Sequence, residues 1–138
     1  SSDLMWITAW AMRGPGIDWS AYSEQTLSQA TEQGKPVIID FYADWCTPCR
    51  ELEEVTFHHA DVVRQSQQEF VMIKVDVTKG DDSLHEKLLT QYGVKGVPTI
   101  VFLDGRGQER TELRLVDFLP PEPFLNRMVD LKKSLPTK

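Results

Sequence analysis

Cysteine is nearly absent from this chain: of 138 residues only Cys46 and Cys49 carry a thiol. Two cysteines do not make a disulfide scaffold, and a chain with 41% apolar and 9% aromatic residues can bury a core without one. Long apolar runs are missing too. No stretch reaches the roughly 18 residues that would span a bilayer, and the apolar segment 4–12 is short and lacks the basic start of a signal peptide. A piece of a longer membrane protein and a secreted protein without its leader would both look this way. Basic charge is scarce, 15 Lys and Arg against 21 Asp and Glu for a net charge of −6. Nucleic acid and anionic membrane surfaces both need a basic face, so partners are expected to be proteins or small thiols. No internal repeat divides the chain. One domain is expected over residues 18–135, monomeric when isolated, with residues 1–17 as an N-terminal linker or irregular arm set off by Arg13-Gly14-Pro15-Gly16. Trp6, Trp10 and Trp19 read as packing anchors.

The two cysteines sit in Trp45-Cys46-Thr47-Pro48-Cys49, directly after the apolar run Val37-Ile38-Ile39-Asp40-Phe41-Tyr42. If the run is a buried strand and Glu51 onward is helical, the pair lies where strand gives way to helix. Unpaired N–H groups in the first helical turn and the positive end of the helix dipole stabilise a thiolate there. Cys46 is the thiol more exposed to that field, and Pro48 is tolerated where its missing donor costs nothing. Two intervening residues let the sulfurs close a small ring, a redox-active disulfide that needs no cofactor. Two other readings stay open. Zinc needs four ligands, and the nearby His58 and His59 would point about 100° apart on a helix. A purely structural disulfide with so short a loop would remove little entropy from the unfolded chain.

Asp40 interrupts the apolar run. A carboxylate so placed either pairs or is held partly protonated by desolvation, and the latter suits a proton acceptor for a buried thiol. Glu53 lies four residues after Cys49 and seven after Cys46, on their helical face, although most glutamates at such spacing are simply exposed.

Elsewhere the pattern alternates strand and helix. Residues 18–33 carry helix formers with Tyr22, Leu27 and Ala30 inward and Gly34 as the stop. A second helix runs from about Cys46 to Gln67, broken near His58-His59-Ala60-Asp61, with Leu52, Val55, Val62 and Val63 as apolar contacts. Residues 70–77 read as a parallel strand with Lys74 directed toward Asp40. Ser83-Leu84-His85-Glu86 has the form of a capping box, opening a helix that buries Leu84, Leu88, Leu89 and Tyr92 and stops at Gly93. A strand over 96–103 is followed by the turn Asp104-Gly105-Arg106-Gly107 and an antiparallel strand over 108–116. Pro120-Pro121-Glu122-Pro123 starts a last helix whose apolar side is Phe124, Leu125, Met128, Val129 and Leu131.

Asp40-Phe41-Tyr42-Ala43-Asp44-Trp45-Cys46-Thr47-Pro48-Cys49, followed at a distance by Gly96-Val97-Pro98-Thr99, resembles the thioredoxin superfamily. Within it, Lys35-Pro36-Val37, Tyr42–Cys46, Glu53 and Thr56-Phe57 look most like the periplasmic C-terminal domain of the DsbD family of thiol:disulfide interchange proteins. The dipeptide Thr47-Pro48 is more thioredoxin-like. The resemblance implies a thioredoxin-like α/β fold, a central mixed sheet of about four to five strands flanked by helices on both faces. It implies a protein-disulfide reductase in which Cys46 attacks, Cys49 resolves, and Asp40 and Glu53 are an acidic pair beneath the site. Trp45, Val97, Pro98 and Thr99 would form the partner-binding edge, with the Val97–Pro98 bond cis. It further implies a domain tethered to the inner membrane on its periplasmic side, taking electrons from a membrane-embedded domain and passing them to a periplasmic acceptor domain.

Overall fold

The computed structural model describes residues 16–80 and 82–133. The expectations placed on residues 1–15, Trp6 and Trp10 among them, and on 134–135 lie outside these. Four strands form one sheet: β1 (Ser20–Ala21), β2 (Val37–Tyr42), β3 (Val71–Asp76) and β4 (Thr99–Leu103), in the order β1-β3-β2-β4. β3 runs parallel to β1 and β2, whereas β4 is antiparallel to β2. Among the described residues five α-helices accompany them: α1 (Glu24–Gln33), α2 (Thr47–Glu51), α3 (Ala60–Glu69), α4 (Ser83–Gln91) and α5 (Pro121–Lys133). A π-helical turn over Leu52–Thr56 continues α2.

The two-residue period of the strands sorts their side chains between two cores. Ile38, Met72, Ile100 and Phe102 face Leu52, Phe57, Val62, Phe124, Met128 and Leu131, which come from the π turn, its exit, α3 and α5. Val37, Ile39, Phe41, Ile73, Val75, Val101 and Leu103 face Ala30 of α1 and Leu88 of α4. β2 is therefore covered on both sides, as its nearly continuous apolar character requires. By the same alternation Asp40, one residue out of phase with Ile39 and Phe41, falls on the face that carries the cysteines.

Several boundaries differ from the sequence expectations, each for a local reason. The first helix begins at Glu24 instead of Asp18, because the Ser23 side chain accepts the Thr26 N–H at 3.0 Å and caps it there. Residues 20–21 instead pair with Ile73 and Lys74 at the sheet edge. Gly34, at φ 69°, ends α1 as expected. In α4 the cap is Asp82, which accepts from the Leu84 N–H at 2.9 Å, so Ser83 is the first helical residue and Leu84 faces solvent. Val55 and Val129 are likewise exposed.

The strand expected over 108–116 is reduced to isolated bridges at Glu109 and Leu115. The turn before it forms, with Gly107 at φ 85° and its N–H bonded to the Asp104 carbonyl at 2.9 Å. A helical turn at Thr111–Leu113 then takes those residues out of the ladder and lets Leu113 and Leu115 enter the first core.

Candidate active site

β2 delivers the chain to the sheet's C-terminal edge, and Ala43–Trp45 carry it over to α2. Cys46 is the N-cap of that helix, with its Sγ accepting the Cys49 N–H at 3.2 Å. Pro48 lies in the first turn, where no donor is missed. Cys46 and Cys49 are joined as a disulfide, their Cα atoms 5.2 Å apart. Both are buried, packed with Ala43 and against Tyr42, Val77 and Val97. Burial alone does not tell the two apart; surroundings do. Cys46 follows Trp45, which is 68% exposed. Cys49 lines a cavity of about 380 Å³ behind the disulfide together with Asp40, Tyr42, Arg50, Glu53 and Lys74.

Asp40 is buried at 4% exposure and stands opposite Lys74 in the β2–β3 register. Burial pushes its carboxyl up to about 7, the Lys74 ammonium pulls the other way, and Glu53 adds a smaller upward push. The Lys74 ammonium binds the Glu53 carboxylate at 2.9 Å and lies 4.6 Å from the Tyr42 ring centre and 5.5 Å from that of Trp19. Burial, followed by the charges of Asp76 and Asp44, pushes the Tyr42 hydroxyl up to about 12, so it stays neutral beside this cluster. Lys74 was legible as a strand residue aimed at Asp40, but its bond to Glu53 was not. That bond sets the ammonium that faces Asp40 across the strand register against a second carboxylate in the same cavity.

The π turn decides where Glu53 sits. The Phe57 N–H reaches back to the Leu52 carbonyl at 2.8 Å, five residues away, which leaves the Glu53 carbonyl to the His58 ring, 2.6 Å from Nδ1. His59 caps α3, its Nδ1 accepting the Asp61 N–H at 3.3 Å. The two histidines thus shape the helix break, as the sequence suggested.

On the other side of the disulfide the Val97–Pro98 bond is cis. Pro98 and Thr99 are buried, and the Thr99 hydroxyl donates to the Gly96 carbonyl at 2.6 Å, which closes the loop. Val97 rests on the cysteine cluster. Val97, Pro98 and Thr99 share a shallow depression of about 420 Å³ with Arg114 and Val116. Val116 is 66% exposed and had no part in the sequence expectation, since it was placed at the end of a strand. The structure therefore brings all eight singled-out residues to one end of the sheet. Cys49, Asp40 and Glu53 line one cavity; Val97 packs against the cysteines, with Pro98 and Thr99 following it, and Trp45 stands exposed beside Cys46. Among the described residues no group of three or more His, Cys, Asp or Glu side chains is arranged to hold a metal ion.

A thioredoxin-like family model matches residues 18–105. The thiol:disulfide interchange protein DsbD of Vibrio vulnificus is 42% identical over 105 residues, which is 76% of this chain but 17% of that protein. The chain thus spans about a sixth of the length of such curated relatives. The C-terminal domain of Neisseria meningitidis DsbD in its reduced form superposes with a TM-score of 0.69 at 27% identity, covering 79% of this chain and 93% of that one. A DsbH oxidoreductase shares the fold with a TM-score of 0.73 at 20% identity, each chain covered to 90%. A Cys-x-x-Cys disulfide at the mouth of a helix, a cis-proline loop beside it and these similarities have one common reading: the chain belongs to the thioredoxin-like family.

Proposed function

We propose that this domain passes electrons to protein disulfides in the reducing direction, as the C-terminal domain of a DsbD-type transmembrane electron-transfer protein. The Cys46 thiolate attacks one sulfur of a partner disulfide, forming a mixed disulfide and releasing the other partner sulfur as a thiolate. Cys49 gives its proton to the Asp40 carboxylate and attacks Cys46 Sγ. The second partner thiolate leaves, and the domain is left as the Cys46–Cys49 disulfide, two electrons poorer. In the full-length protein a membrane-embedded domain restores the dithiol, and a periplasmic domain accepts the electrons. The domain itself stands on the periplasmic side of the inner membrane.

The observation that carries this reading is the asymmetry of the pair. Cys46 closes the helix mouth next to exposed Trp45, while Cys49 shares its cavity with a carboxyl held near 7. A carboxyl with that affinity for protons can accept one from a thiol near neutral pH, which an ordinary aspartate cannot. Trp45 and the Val97–Pro98 edge offer the partner an apolar seat, with backbone groups beside Pro98 for an extended segment.

The Thr47-Pro48 dipeptide favours a second reading, a free-standing thioredoxin-like reductase. A measured reduction potential against glutathione and the presence or absence of upstream transmembrane helices separate the two. Insulin reduction driven by dithiothreitol tests the shared chemistry: the proposal expects catalysed turnover. No turnover, together with a disulfide that resists mild reductant, would make the pair structural and the domain a binding module.

A further inference from the structure

His58 is the one described histidine beside the acidic cluster that the exchange chemistry leaves without a task. Its ring lies 2.6 Å through Nδ1 from the Glu53 carbonyl and 3.9 Å from Glu53 Oε2. A carbonyl only accepts, so Nδ1 carries the hydrogen and Nε2 is the nitrogen that can gain or lose a proton. A methyl group added to Gly16 would meet Nε2 at 2.8 Å, so the chain at residue 16 closes in on the imidazole from the Nε2 side. The opposite oxygen of Glu53 is bound by Lys74, which faces Asp40 across the β2–β3 register.

We propose that His58 is a positioning residue that holds the Glu53 carboxylate from outside and, by taking a proton, makes the Asp40–Glu53–Lys74 cluster respond to acid. This rests on Asp40 and Glu53 serving the cysteines as described above. Because the hydrogen bond uses Nδ1, protonation at Nε2 adds charge without releasing the ring. The added cation stands on one side of Glu53 and Lys74 on the other. Glu53 is then screened from both sides, its repulsion of the Asp40 charge falls, and Lys74 is less committed to Glu53. Both changes favour ionised Asp40. As pH falls, Asp40 would thus hold its base form longer than it could alone.

The charged and titratable groups around this route are Glu53 from the π turn, Asp40 and Tyr42 from β2, Asp44 from the loop after it, Lys74 from β3, and Arg50 and, in reduced protein, the Cys49 thiol from α2. His59 and Asp61 at the start of α3 are engaged with each other, and Asp61 also pairs with Arg64. None of these three competes for the Nδ1 hydrogen.

His58→Asn tests the proposal, since the amide can keep a donor near the place of Nδ1 but gains no charge in acid. The readout is the titration of the Asp40 carboxyl in reduced protein, followed by carbon-13 NMR, which needs no partner and no turnover. The expected result is a higher Asp40 midpoint in His58→Asn than in the unmodified protein. Alongside it, resolution of a mixed disulfide by Cys49 should be about twofold slower near pH 6 and unchanged near pH 8. In a Glu53→Gln background the His58 substitution should move the midpoint far less. An unchanged midpoint would overturn the proposal while leaving insulin reduction intact. A shift that persists undiminished in the Glu53→Gln background would overturn the route through Glu53. If His58→Asn fails to fold, His58→Gln makes the same comparison.

Discussion

Asp40 takes its charge while largely buried, and that has a cost in stability as well as a use in chemistry. Its carboxyl binds a proton up to about pH 7 in the folded chain, against an ordinary value of 3.8. Between those values the folded state holds the proton and the unfolded chain does not. Stability from this group is therefore full in acid and declines as pH rises toward 7, by on the order of 4 kcal/mol. Asp40→Asn removes the titration. The variant should gain stability over the unmodified protein at pH 8 and gain little at pH 4, which denaturant melts at the two pH values would measure. Equal gains at both would mean that Asp40 is not titrating in the folded state. The same substitution should slow resolution by Cys49 and erase the rise in its rate near pH 7. Stability gained and rate lost from a single change is the pattern expected of a residue kept for function.

At the scale of elements, the site depends on how the π turn is anchored. Thr56, fully buried, donates through its hydroxyl to the Leu119 carbonyl, fixing the turn to the segment before α5. Phe57 sits edge-on to Trp19 at 5.2 Å and to Phe124 at 5.4 Å, so one ring ties the cysteine-bearing helix to the sheet edge and to α5. Phe57→Ala should destabilise the fold by about 3–5 kcal/mol. It should also loosen Glu53, raising exchange of the amides from 52 to 58 more than those of α1. A uniform rise throughout the chain would show that the ring matters only to global stability.

This element also marks where sequence legibility ended. β2 and the helix mouth were readable, because burial on both faces and the Cys-x-x-Cys pair each leave a pattern within a few residues; the cis-proline loop came only from the family resemblance that Gly96-Val97-Pro98-Thr99 carries. Asp40 was readable as the one charge in an apolar run. The π turn was not, since a single shifted hydrogen bond has no sequence period. The strand expected over 108–116 failed for a related reason: Leu113 and Leu115 alternate like strand residues, yet they enter the core from a helical turn and a lone bridge. Ser83 lost the cap to Asp82 because two adjacent side chains could both accept, and only geometry selects between them. The Lys74–Glu53 bond joins residues 21 apart on different elements and lies beyond any local signal.

For the whole molecule, the division of labour follows from where the sheet ends. The two apolar cores flank β2 and give the edge its rigidity; the disulfide, the carboxyls and the cis-proline loop occupy that edge. Trp45 and Val116 are exposed, Val97 packs against the disulfide, and the acid cluster shares its cavity with Cys49. The central claim is that exchange enters at Cys46 and is completed by Cys49. Mass spectrometry of mixed disulfides formed by reduced Cys49→Ser and Cys46→Ser variants with a disulfide-bonded protein substrate tests it most directly. The account predicts a stable adduct on Cys46 in the Cys49→Ser variant and little or none in the Cys46→Ser variant. Adducts accumulating equally on both, or preferentially on Cys49, would contradict it.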